Sequence, residues 1–243
     1  MVGWVREPLF DWEMIRMVVF DVDGTLYRQR SLRLRMARSL LWHTLKRRDS
    51  RTVSVLKAYR SIREKMADSE VHDFGPALLT ETAQRTGCDP ATVNLVVREW
   101  INERPLRYLP NCVYPGVVAL FDAVRQSGRL LGVWSDYPAR EKLAAMGLAA
   151  DHVVSADDSE IGILKPHPRG LLRLAALGGV SPTETVLIGD RAERDGMAAQ
   201  RAGAKALLRS TLPIAGWRCF SRYDDAVFAP LLDHRRSPED SAS

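Results

Sequence analysis

Met17-Val18-Val19-Phe20-Asp21-Val22-Asp23-Gly24-Thr25-Leu26 is the stretch whose reading decides the fold. Four apolar residues closed by Asp21 and Gly24 read as a buried strand. A long region without comparable strands follows, where helical spacing or helix-forming composition covers 31–47, 53–68, 74–86 and 91–103. Breaks fall at Asp49-Ser50, Gly75-Pro76, Gly87 to Pro90, and Pro105. After Pro110 the pattern changes. Strands are expected at 130–134, 153–154, 186–188 and, last, 206–208, between helices at 117–126, 138–146, 167–177 and 192–202. Strands alternating with helices of this length argue for βαβ units and a parallel sheet, so the helical block is an insertion after the first strand.

The 243 residues are 46% hydrophobic and 27% charged, which excludes a disordered chain, a collagen-like repeat and a disulfide scaffold. No apolar run approaches the ~18 residues of a membrane span. Glu7, Asp11, Glu13 and Arg16 argue against a signal peptide. Cys88, Cys112 and Cys219 share no CxxC spacing and read as free or buried thiols, so a soluble, cytoplasmic protein is expected. Arg28 to Lys65 holds thirteen Lys and Arg against two acids, a surplus of +11 in a chain of net +5, leaving −6 for the remainder. Two functional surfaces on one chain would look like this.

In open parallel sheets, ligands bind beyond the carboxyl ends of the strands. Asp21, Asp23, Gly24 and Thr25 follow the first strand, Ser135 and Asp136 the second, and Gly189 and Asp190 the strand at 186–188. Asp195 lies five residues on, and Lys165-Pro166 stands in the connection before. Crowded carboxylates repel unless a cation lies among them, and hard oxygen ligands beside a polar pocket favour Mg²⁺ with a substrate phosphate. Asp21 and Asp23 can face the same side of an extended chain, one to attack phosphorus and the other to protonate the leaving oxygen. Lys165 and Ser135 would hold the non-bridging oxygens, and Gly24 allows close backbone approach to the anion.

Asp21-Val-Asp-Gly-Thr-Leu26, Ser135-Asp136, Lys165-Pro166 and Gly189-Asp190 to Asp195 resemble, in order, the four motifs of the haloacid dehalogenase-like hydrolases. Tyr114-Pro-Gly-Val117 to Gly128 is also similar to the helix that re-enters the family core after its cap. The resemblance implies an α/β fold, a Rossmann-like parallel-sheet core with an inserted α-helical cap domain. Its parts would be an N-terminal arm (1–16), a core (17–27 and 107–210), a cap (28–106) and a C-terminal segment (211–243), mobile from about 235. The activity implied is that of a Mg²⁺-dependent phosphatase working on a small phosphorylated substrate through an aspartyl-phosphate. Asp21 would be nucleophile, Asp23 general acid and then base, and Asp190 would complete the metal site with Asp21 and the Asp23 backbone carbonyl. Gly24, Thr25, Ser135, Asp136 and Lys165 would bind phosphate, with Asp195 in support. Asp23 argues against the founding dehalogenase activity, because those relatives lack that second aspartate and need no metal. Phosphate-monoester hydrolysis can need enhancements up to ~10²¹-fold, which is why so many groups would act together.

Asp136 departs from the family pattern, which commonly has Asn or Gly there. Its side chain could cap the helix opening at Pro138 or point inward, and Arg191 and Arg194 could offset its charge. Ser135 could merely cap a helix, and His167 reads as a helix-start residue. Met14, Met17, Trp100 and Trp134 are expected in the core, and Trp4, Leu9, Phe10 and Trp12 are expected to dock the arm. For Arg28, Arg30, Arg33, Arg35 and Arg38 the leading reading is a solvated helix face, followed by a grip on a second anionic group of the substrate. Nucleic acid or an anionic membrane surface is a less favoured partner, because Leu40, Leu41 and Trp42 would serve to pack a cap. Two other functions stay open: a phosphotransferase or mutase of the same fold, and a weakly catalytic binding protein using the basic block.

Overall fold

The computed structural model describes residues 10–48 and 50–233. Trp4, Leu9, Asp49, His234 and the tail from 235 lie outside the described residues. β1 (Met17–Phe20) lies inside a six-stranded parallel sheet with β2 (Leu130–Ser135), β3 (His152–Ser155), β4 (Thr185–Gly189), β5 (Lys205–Arg209) and β6 (Cys219–Phe220). The order is β3-β2-β1-β4-β5-β6. The chain runs outward from β1 to β3 and then crosses back to β4, so the strand order reverses beside β1, where a crevice opens at the carboxyl ends. Register sets Phe20 opposite both Val133 and Ile188, which brings three strand ends level.

Every side chain of β1 is buried because both faces of the sheet are covered. Val18, Phe20, Val133 and Ile188 face α5 (Val117–Gln126) and its Leu120 and Phe121. Met17, Val19, Trp134 and Leu187 face the other way, onto Leu171 and Leu174 of α7 (Arg169–Gly178). The arm docks as expected where it is described: Trp12 is buried and its indole N–H donates to the Val227 carbonyl at 2.5 Å.

Between β1 and β2 stand α1 (Gln29–Arg47), α2 (Arg51–Asp68), α3 (Phe74–Thr86) and α4 (Pro90–Val97). The helix expected over 91–103 is α4 followed by a wider π-helical stretch, Arg98–Glu103. Asp89 caps α4 by accepting the Thr92 N–H at 2.8 Å, with Pro90 at the first turn where its missing N–H costs nothing. Val55, Leu56, Val93, Trp100 and Ile101 pack these helices together, while Ile62, Met66, Phe74 and Leu78 meet Leu164 from the sheet side.

Three expectations are corrected. The last strand is not 206–208, because β6 extends the sheet. Met14 is exposed, where a core position was expected. Only Leu40 of the Leu40-Leu41-Trp42 run is half-buried, and Leu41 and Trp42 point into solvent. The α1 sequence is apolar at positions all round the helix, so the interior of the helical insertion cannot accommodate all of them.

Candidate active site

Asp21, directly after β1, is nearly buried; its backbone N–H donates to the Ile188 carbonyl and locks the residue to β4. One carboxylate oxygen accepts Lys165 Nζ at 2.7 Å, and the other accepts the Thr25 hydroxyl at 2.9 Å. Lys165 Nζ also donates to Asp195 at 2.7 Å and to the Trp134 carbonyl at 3.1 Å. An ammonium has three protons, so all of them are used, and gripping a phosphate oxygen would require exchange of one partner. Burial works against the Lys165 charge, but Asp195 and Asp21 outweigh it and hold the ammonium more firmly protonated than usual.

Asp195 belongs to a short π-helical turn, Ala192–Gly196, that opens right after β4. Its second oxygen accepts the backbone N–H groups of Asp190 and Arg191 at 3.2 and 3.1 Å. Gly189 is required beneath it, since a Cβ there would lie 2.3 Å from the Asp195 side chain. Asp195 therefore spends both oxygens on orienting Lys165 and the Asp190 loop. Gly24 has φ +99°, and a Cβ there would fall 2.1 Å from Asp190 Oδ2, so glycine gives Asp190 its place beside Asp21.

Oxygens of Asp21, Asp190 and Asp195 lie within 4.8 Å of one another. Asp190 Oδ1 is buried and has no hydrogen-bond partner among the described residues. Burial, then the Asp195 charge, pushes the Asp190 carboxyl up to about 7. Burial likewise drives Asp21 well above the ordinary carboxylate range, Lys165 opposing and Asp195 and Asp190 adding to it. An orphaned oxygen among crowded, all-oxygen donors fits a hard cation, which would relieve both strains.

Asp23 faces the same cavity as Asp21, as alternation along an extended chain predicts. Lys142 of α6 (Arg140–Ala145) donates to both its oxygens at 2.7 Å, and the Tyr27 hydroxyl donates to Oδ1. Burial would raise the Asp23 carboxyl, but Lys142 and the Tyr27 bond hold it below the usual range. Ser135 is buried and its hydroxyl oxygen accepts the Tyr137 N–H at 3.2 Å, which leaves its own proton free to donate. The Asp136 side chain does not cap α6; it accepts the Lys165 backbone N–H at 3.0 Å, and burial raises its carboxyl. Arg191 and Arg194 do not offset it: they reach Glu64 of α2 at 3.0 and 2.9 Å, and Arg194 also reaches Asp68 at 2.6 Å.

Sequence reasoning missed Lys142, Tyr27, Arg63 and Tyr223. Lys142 lies in the first turn of α6, a position whose default for lysine is surface. Arg63 of α2 is buried, donates to the Asp136 carbonyl, pairs with Asp157 at 3.1 Å, and lies 4.4 and 4.7 Å from the Tyr137 and Phe74 ring centres. Tyr223, from the segment beyond β6, donates its hydroxyl to the Thr25 carbonyl at 2.5 Å and fixes the loop after β1. The residues that carried a sequence signal are those at or just after the strand ends (Asp21, Asp23, Gly24, Thr25, Ser135, Asp136, Asp190 and Asp195) and Lys165 before its proline.

A family model described as haloacid dehalogenase-like hydrolase matches residues 15–203. The chain is 30% identical over 196 residues to a glyceraldehyde 3-phosphate phosphatase of Methanopyrus kandleri, covering 78% of this chain and 82% of that one. It is 27% identical to a phosphoglycolate phosphatase of Rhodospirillum rubrum over 233 residues, 93% of each. Among solved structures, a HAD-hydrolase of Bacillus subtilis superposes with a TM-score of 0.64 at 15% identity, covering 90% of this chain and 99% of that one.

Proposed function

The chain belongs to the haloacid dehalogenase-like hydrolases, and from that premise we propose that it is a Mg²⁺-dependent phosphatase that hydrolyses a small phosphate monoester through a phosphorylated Asp21. The observation that carries this reading is the opening of Asp21 and Asp23 into one cavity of about 930 Å³, with Lys165 bridging Asp21 to Asp195 behind it.

An Asp21 carboxylate oxygen forms the bond to phosphorus as the bond from phosphorus to the substrate oxygen breaks. Asp23 gives that oxygen its proton. Lys142 favours the charged form of Asp23, which weakens it as an acid; an incoming phosphate anion pushes the other way. Water then attacks the acyl phosphate, Asp23 takes its proton, and inorganic phosphate leaves with Asp21 restored. Asp21, Asp190 and the Asp23 backbone carbonyl would hold Mg²⁺, which when bound supplies positive charge to the crowded carboxylates and to the phosphate oxygens. Ser135, Lys165 and the N–H groups of Gly24 and Thr25 would bind those oxygens, and Asp195 would position Lys165.

The helices at 28–106 act in this reading as a cap. Arg33, Lys57 and Arg60 also line the cavity, which favours a substrate with a second anionic group. The relatives named above act, by their names, on small phosphorylated carbon compounds, which agrees with that class. All three cysteines are unpaired, as in a reducing cytoplasm, and no described helix is long and apolar enough to cross a membrane.

The test is phosphate release from an aryl phosphate and a panel of phosphorylated metabolites, with Mg²⁺ and with chelator. Wild type should turn over only with Mg²⁺, and Asp21→Asn should lose roughly 10⁴-fold or more while remaining folded. Undiminished turnover in Asp21→Asn would end the covalent mechanism.

A further inference from the structure

We propose that the outer face of α1 seats the protein on an anionic phospholipid surface. α1 is 19 residues long and contains no acidic residue. Its inner side packs through Leu32, Met36 and Leu40. Its outer side carries Leu34, Leu41 and Leu45, 66%, 61% and 67% exposed, with Trp42 at 68%. Positions 34, 41 and 45 are spaced by seven and four, so at 100° per residue they fall within an arc of roughly 40° and form one stripe.

Cations flank the stripe on both sides, Arg35, Arg38 and Lys46 beside Trp42, and Arg30 on the opposite edge. Lys46 Nζ lies 5.4 Å from the Trp42 ring centre. Beside them a groove of about 900 Å³ runs between α1 and the chain at 104–108, adding Arg104 and Arg107. Arg104 pairs with Glu99, and Arg104 and Arg107 both donate to the Ser39 hydroxyl, at 3.4 and 3.3 Å. Among the described residues no carboxylate pairs with Arg35, Arg38, Lys46 or Arg107. An exposed leucine stripe with a tryptophan at its edge and cations along its flanks matches the boundary between acyl chains and charged head groups.

Charge complementarity selects this occupant over two others. A second copy meeting the first through α1 would bring two such cationic faces together. Nucleic acid would satisfy the cations and could stack on Trp42, but it has no use for three aligned leucines. The α1 residues that line the large cavity, Leu32, Met36 and Leu40 among them, lie on its other side, so seating the outer face leaves them uncovered.

The full chain is sedimented with vesicles of phosphatidylcholine alone and with vesicles containing about a third phosphatidylglycerol. Binding is expected to the anionic vesicles only, weakening as salt rises. Leu41→Gln with Leu45→Gln should cut the bound fraction's partition coefficient at least tenfold, roughly, and Arg35→Gln with Arg38→Gln by a similar factor. Both pairs are exposed, and unchanged thermal unfolding together with unchanged hydrolysis of a soluble aryl phosphate shows that the fold and the site are intact. That same assay separates failure here from failure of the phosphatase reading. As a second readout, brominated lipid should quench fluorescence in wild type more than in Trp42→Phe. The proposal is overturned by absence of sedimentation with anionic vesicles at low ionic strength, or by binding that the leucine substitutions leave unchanged. It is equally overturned if the stripe proves to hold a self-association that those substitutions abolish, or if an oligonucleotide binds while anionic vesicles do not.

Discussion

Lys142 is the residue that holds the Asp23 carboxyl charged. Its ammonium reaches both Asp23 oxygens, and the two side chains are only 7% and 17% exposed. Removing one partner of such a pair strands the other charge, which costs about 3 kcal/mol. Lys142→Met should therefore lose stability of that order in urea unfolding at neutral pH. The deficit should shrink on acidification. In the wild type Asp23 has a lowered folded pKa, so its contribution is present above the unfolded value of 3.8 and fades as pH falls through the folded one. Without Lys142, burial is opposed only by the Tyr27 bond and the charge of Lys165, so the variant loses less stability toward acid than wild type does. A deficit constant from neutral to acid pH would show that Lys142 acts by packing alone.

α2 is the element that ties the helical insertion to the sheet. Arg63 fills a buried slot between aromatic rings while bonding to Asp136 and Asp157, and Glu64 and Asp68 hold Arg191 and Arg194. A lysine offers neither the planar stack nor the fork, so Arg63→Lys should cost about 2 kcal/mol, a fall in Tm of roughly 4–8 °C in calorimetry. An unchanged Tm would reduce the slot to a surface contact. Arg63 illustrates what the sequence conceals. β1 and its aspartates were legible because an apolar run ending in acids is a local pattern. β6 was not, because Cys219–Phe220 are two residues among turns, paired only through tertiary context. Leu41 and Trp42 misled because apolarity in a helix says nothing of which face is covered when every face carries some. Lys142 and Arg63 were invisible because long cationic side chains default to solvent, and only the fold delivers a carboxylate or a ring to them.

For the molecule as a whole, a bound cation and the proton would compete at Asp190. Its carboxyl is raised to about 7, so in the metal-free protein its contribution to stability is present below 3.8 and is lost as pH rises through about 7. Mg²⁺ should reverse that trend. At a hundredfold excess over Kd it should add about 2.7 kcal/mol, and thermal unfolding should show a larger gain near pH 8 than near pH 5.5. Asp190→Asn should abolish the difference, and a Mg²⁺ shift insensitive to pH would place the ion elsewhere. Asp21 is made well before the groups that complete its surroundings. Its cation comes from Lys165, 144 residues later, and one of β1's two flanking strands, β4, is made later still. During synthesis β1 waits with one open edge until β4 has left the ribosome. Such non-local pairing folds slowly and exposes that edge to aggregation. Prematurely terminated chains ending before Lys165 would carry the acidic cluster's first member without its countercharge, and should be soluble only with a chaperone's help.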